Sequence, residues 1–327
     1  MLRKLLNFRL IPGRHARWVI YPVFLVVLWF WHGPQLLQAG PDNGFDLSGA
    51  LVPAEQIEPG GPVRDGIPAI DSPRFISASQ ADFLNSNDRV LGISLQGQQK
   101  AYPVRILDYH EIVNDRVGDT AVVVSYCPLC GTGMAFLASR NGKAFDFGVS
   151  GLLYNSDVLL YDRQTESLWS QIRKQAIAGP LKGQYLQQIP LEHTSWSDWR
   201  ARYPHTLVLS TDTGYRRDYN RSPYTGYANS EHLMFSVSHL DRRFHPKERV
   251  LGVELNGVAR AYPFSILSRG PAQVVDQLGG KTIRIVFDAD HRTGRVYAGD
   301  ILIPSTTGFW FAWAAFHPDT EVYQPGR

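Results

Sequence analysis

Apolar and polar positions alternate with a short period over most of the chain. In RVLGISLQGQQKAYPVRIL, residues 89–107, the alternation runs into Gln96-Gly97 and resumes after it, which predicts a β-hairpin closed by a two-residue turn. Pro103 then opens a short helical stretch, because its fixed φ suits a first helical turn. The pattern returns in RVLGVELNGVARAYPFSIL, residues 249–267, where Asn256-Gly257 takes the turn. The two segments align without a gap and share Gly92/Gly252, Gly97/Gly257, Tyr102/Tyr262 and Pro103/Pro263. With one extra residue allowed in the second copy, NDRVGDTAVVVSYCPLCGTGMAF falls opposite VDQLGGKTIRIVFDADHRTGRVY. Cys127 then lies opposite Asp288, and Cys130 opposite His291. Self-similarity of this kind predicts an internal duplication.

After residue 136 the copies differ in length. The first continues through a hairpin at Asn141-Gly142, the strand-like runs FDFGV, LLYNSDVLLYD and SLWSQI, a helix-like SWSDWRARY and a strand TLVLS; the second ends soon after FWFAWAAFHPDTEVY. Short strands, frequent turns and few helical windows predict a mainly β fold with a few short helices, a β-rich α+β class. The predicted boundaries are 1–40 for an N-terminal membrane anchor or signal sequence, 41–75 for a Pro/Gly-rich tether, 76–248 for a first repeat with the CPLC loop and an extension, and 249–327 for a second, shorter repeat.

The apolar run WVIYPVFLVVLWFW, residues 18–31, is shorter than the ~20 residues that cross a bilayer and by length matches a signal-peptide core. Trp18, Tyr21, Trp29 and Trp31 sit as interfacial aromatics do, His32 to Leu37 extend the window, and Leu37 spoils a small-residue cleavage motif. The expectation is an uncleaved, single-pass transmembrane helix with its N-terminus inside and the main domain periplasmic or extracytoplasmic. The formal net charge of +3 belongs to this region: Arg3, Lys4, Arg9, Arg14 and Arg17 all precede the run. Of 33 Lys and Arg, 28 then remain against 30 Asp and Glu. The exported part has no basic stripe for phosphate backbones, which excludes nucleic acid as a partner. The expected partners are the membrane, through the N-terminal helix, and a membrane complex or redox protein.

Cys127 and Cys130 are the only cysteines. A disulfide closing so short a loop contributes only ~2 kcal/mol in the chain-entropy model, so the pair is a poor staple. A redox couple needs a thiolate of lowered pKa, commonly at a helix N-terminus, and Gly-Thr-Gly after CPLC does not start a helix. A strand, Cys-Pro-x-Cys-Gly and a second strand is instead the knuckle that turns two sulfurs onto one ion. His110, in DYHEIVND, is the expected third ligand, because its counterpart in the copy without cysteines is Gly270 or Pro271. Met134 is a candidate axial ligand. Glu111 is a candidate to orient the imidazole or carry a proton, and Asp288 and His291 are candidates to complete the sphere from the other half. Sulfur and imidazole make copper the first expected ion and zinc the second, for metal handling or electron transfer. Two alternatives stay open: a thiol-disulfide oxidoreductase in which His110 and Glu111 move protons, and a non-catalytic accessory subunit of a membrane complex. No GxSxG, HExxH, Walker or Rossmann motif assigns a familiar enzyme class.

GIPAID, HEIVND, YCPLCGTG, FGVSGLLYNSD, YDRQTESLWSQ, GPLKGQYL, VLSTDTGYRRDYNRSPYTGY and FWFAWAAFHP together resemble a bacterial and archaeal family, domain of unknown function 3179, from about residue 66 to the C-terminus. The resemblance implies a shortlist of positions rather than a reaction: His110, Glu111, Asn114, Asp115, Cys127, Cys130, Asp157, Asp162, Arg163, Trp169 and Gln171. Asp115 and Asp157 thereby join the secondary ligand candidates. Met134 departs from the family pattern, and the second half is short between Tyr297 and Phe309.

Overall fold

A computed structural model describes residues 40–140 and 142–326. The expected membrane segment falls outside the described residues, and among these no helix is long and apolar enough to cross a membrane. The fold is β-rich, with several sheets and four short α-helices.

The hairpin Arg89–Leu95/Gln98–Pro103 pairs Val90 with Pro103 through to Leu95 with Gln98. Its Gln96-Gly97 turn has positive φ at both residues, 50° and 76°, the backbone that matches strand twist in a tight hairpin. Glu192–Ser195 adds to one edge, antiparallel, and Leu207–Leu209 adds to the other, parallel. Behind this sheet lies a second one, built from Ile112–Val117, Thr120–Cys127 and Thr132–Leu137 with Gln188–Ile189 at its edge. Leu91, Ile93, Tyr102, Ile106 and Leu107 pack from the first sheet and its short helix Val104–Leu107 against Val113, Val117, Val122 and Val124 of the second.

The C-terminal part repeats this plan. Val250 pairs with Pro263 through to Leu255 with Val258, and Thr306–Phe309 and Glu321–Val322 take the two edges. Gln273–Leu278, Lys281–Asp288 and Thr293–Ala298 form the sheet behind it, with Ile301–Ile303 at its edge. Even the tightest contacts recur. Trp199, in helix Trp196–Arg202, lies so close over Gly92 that a Cβ there would fall 2.3 Å from its ring, and Trp313, in helix Trp310–Phe316, stands 2.2 Å from the corresponding point on Gly252. The two indoles donate to Thr206 and Thr320.

The difference between the halves is a five-stranded sheet within the first: Ile57–Pro59, Phe147–Tyr154, Asp157–Asp162, Leu168–Ser170 and Gln175–Ala178. It covers the outer face of the sheet that carries Cys127. Val123, Cys127, Met134 and Phe136 therefore share an apolar cluster with Phe147, Val149, Leu160 and Trp169. Thr120–Cys127 is buried at every position but the first, whereas its counterpart Lys281–Asp288 alternates between buried and partly exposed after two exposed residues. One face of a sheet alone against the core leaves alternation, and two covered faces remove it.

Residues 41–75 correct the expectation of a tether. Phe45, Val52, Ile57, Ala69 and Ile70 are buried, and Ile57–Pro59 pairs with Leu152–Tyr154. The Pro- and Gly-rich spacers read as a linker, but the sparse apolar residues between them are anchored in the core. The halves meet along two matching contacts: Thr306–Phe309 lies against Thr132–Leu137, and Glu192–Ser195 against Thr293–Ala298.

Candidate metal centre

Cys127 ends its strand and pairs with Thr132, which starts the next. The intervening turn closes through Gly131 at φ 61°, a left-handed conformation natural to glycine. The Cys130 amide donates to Cys127 Sγ at 3.4 Å, so both sulfurs are drawn to one side of the turn. Both are free thiols, 1% and 0% exposed.

A second turn meets them. Asn155 and Ser156, at φ 53° and 62°, join Phe147–Tyr154 to Asp157–Asp162, and this tight turn delivers the Ser156 carbonyl to 3.3 Å from Cys130 Sγ and 3.7 Å from Cys127 Sγ. Asp157 follows it, fully buried. Ligand atoms of Cys127, Cys130 and Asp157 all lie within 4.8 Å of one another. One carboxylate oxygen, Oδ2, accepts the Ile172 amide; Oδ1 is buried with no hydrogen-bond partner among the described residues. Buried polar atoms are rarely left so.

Burial dominates the local electrostatics. It raises the Cys127 thiol and raises Cys130 well above the ordinary range, with neighbouring Cys127 and Asp157 adding to the effect on Cys130. Asp157 is pushed up to about 7 by burial, against the pull of the Ile172 and Val158 amides and both thiols. Glu111, at φ 57°, is pushed up to about 8 by burial and by Asp157 and Asp108. Burial lifts Asp108 to about 6 although Ser222 donates to it. Burial thus disfavours the charged form of each of these groups. The Tyr227 hydroxyl is also buried without a partner among the described residues, beneath the Lys247 ammonium at 3.9 Å from its ring centre.

His110, the expected third ligand, stands apart from this group. Its Nδ1–H donates to the Pro68 carbonyl at 2.7 Å, so Nε2 accepts from the Tyr219 hydroxyl at 2.6 Å, and both ring nitrogens are occupied. Burial lowers its pKa, favouring this neutral form. Met134 belongs to the apolar cluster that holds the cysteines. Asp288 and His291 gather with Asp198 on the opposite half's helix instead of reaching the thiols, and His291 Nδ1 is bonded to Ser195 Oγ at 2.8 Å.

The remaining shortlisted residues hold the frame. Asp115 accepts from Lys100 and Tyr102. Asn114 binds the backbone of Phe147 through both its amide atoms. Gln171 joins Thr132 to Ser125 across the two strands of the cysteine loop. Asp162 caps its own turn at Thr165 and receives the Trp169 indole, and Arg163 pairs with Asp71.

The chain belongs to the family described as "Protein of unknown function (DUF3179)", whose model matches residues 64–302. No curated protein and no solved structure matches it.

Proposed function

We propose that the chain binds a borderline transition metal between Cys127, Cys130 and Asp157, with zinc the first choice and copper the second, in metal handling outside the cytoplasm. The observation that carries this reading is the buried Asp157 carboxylate within 4.8 Å of two thiols, its Oδ1 without a hydrogen-bond partner among the described residues. A bound cation supplies the missing partner and favours the thiolates, against the burial that otherwise keeps them protonated. The order of metals changes with the third ligand, because a hard carboxylate oxygen beside two thiolates suits zinc better than copper. Three protein ligands leave a fourth position for water or substrate. The competing thiol oxidoreductase needs an easily formed thiolate, and both thiols are shifted the other way.

The compartment rests on the apolar run at 18–31 and the cations before it. In an oxidising compartment a metal also protects a close thiol pair from disulfide formation. The matched registers of the two halves favour descent from a duplicated unit.

Elemental analysis and a free-thiol count on anaerobically purified full-length chain test the proposal. Near-stoichiometric metal is expected, at least tenfold depleted in Cys127→Ser and Asp157→Asn and retained in His110→Ala. A metal-free native protein, or loss in His110→Ala alone, overturns it.

A further inference from the structure

The repeated plan places Arg89 and Arg249 at equivalent positions, the first residue of the leading strand in each half. Their side chains do different work. Arg89 is spent on backbone: it donates to the carbonyls of His193 at 2.5 Å, His291 at 2.6 Å and Arg292 at 3.1 Å. Arg249 makes no such clamp; the carbonyl of Cys130, counterpart of His291, accepts the Phe309 amide instead. Its guanidinium has a single polar contact, a long 3.4 Å one to His193 Nδ1, and lies over the Phe309 ring. Among the described residues it forms no ion pair.

Arg249 lines a cavity of about 580 Å³, with Arg292, Lys247, Asn229, Ser265 and Ser268 as further polar walls. Glu248 also lines the cavity, but its Oε1 is engaged by the Ser265 amide. If Nδ1 of His193 accepts from Arg249, Nε2 carries the proton; that atom is buried, in a residue 2% exposed, and has no partner among the described residues. Arg89 Nε–H is likewise unpartnered. Among the residues that line the cavity, Lys247, Arg249 and Arg292 are cationic and Glu248 is the one carboxylate. A half-buried guanidinium without an ion-pair partner is costly, and burial together with the charges of Arg249 and Arg292 pushes Arg89 down to about 9.

We propose that this cavity is a binding site for a small oxyanion, a carboxylate or phosphate group, held by Arg249 and Arg292. Arginine suits either, since its planar fork matches two oxygens at once. The proposal is independent of whether a metal occupies the cysteine loop.

Titration calorimetry of the full chain with inorganic phosphate and separately with acetate, at constant ionic strength set by chloride, tests it. Saturable binding of either anion is expected, weakened at least tenfold in Arg249→Met and several-fold in Arg292→Asn. Arg292 is exposed at a left-handed turn position, so its replacement by Asn leaves the fold intact if Arg249→Met does not. Phosphate binding without acetate binding identifies a phosphate group as the natural ligand, and the reverse a carboxylate. Absence of binding by both, or equal binding in wild type and Arg292→Asn, overturns the site.

Discussion

At the scale of single residues, glycine and tryptophan set the closest packing. Adding a methyl group at Gly92 or Gly252 drives it into an indole on the overlying helix, and overpacking of this kind costs about 1–3 kcal/mol. Gly92→Ala and Gly252→Ala are expected to lower the unfolding free energy by that amount each, measured by urea unfolding; an unchanged midpoint shows that the helix shifts freely. The glycines were legible, because they recur at one place in two aligned segments. Asp157 was less so. It follows Asn-Ser in a tight turn, where an aspartate ordinarily reads as turn chemistry, and only the family shortlist raised it. His110 failed as a ligand for the complementary reason: a histidine near the thiols in sequence pattern found a carbonyl and a tyrosine in space. Arg249 left a visible trace, the RVLG that opens both aligned segments, but its lack of a backbone clamp exists only in three dimensions.

Among the elements, helix Trp196–Arg202 and strand Glu192–Ser195 bind the second half through charge. Asp198 accepts from Thr194, Arg202 and, across the seam, Arg295, while Glu192 accepts from the same two arginines. Burial raises the Asp198 pKa, but the hydrogen bonds of Arg202 and Thr194 and the charges of Arg202 and Arg295 outweigh it and hold it at about 2. An unfolded aspartate titrates near 3.9, so between these values the unfolded chain binds the extra proton. Stability from this group is complete above about pH 4 and is lost as the pH falls toward 2. The stability gap between wild type and Asp198→Asn is expected to narrow across that window, in thermal melts at a series of pH values; a gap independent of pH contradicts the role of the ion pairs. The strands themselves were readable from period-2 alternation and Gln-Gly or Asn-Gly turns. Alternation failed where both faces are covered, as in Thr120–Cys127.

For the whole molecule, the N-terminal passage after residue 40 is part of the fold. Phe45 is 5% exposed and packs with Tyr161; truncation of a buried phenylalanine costs about 3–5 kcal/mol. Phe45→Ala is therefore expected to destabilise the five-stranded sheet, seen as a lowered melting temperature with early hydrogen exchange in Phe147–Tyr154. Exchange unchanged there shows that the passage is dispensable. The five-stranded sheet has a further effect on how the halves can differ. It roofs one hairpin loop and leaves its twin under open sky. The sheltered loop carries Cys127 and Cys130, and the partly exposed one carries Asp288 and His291 in their place. Two similarly paired frames can thus carry unlike side chains at the same loop, with shelter given to just one.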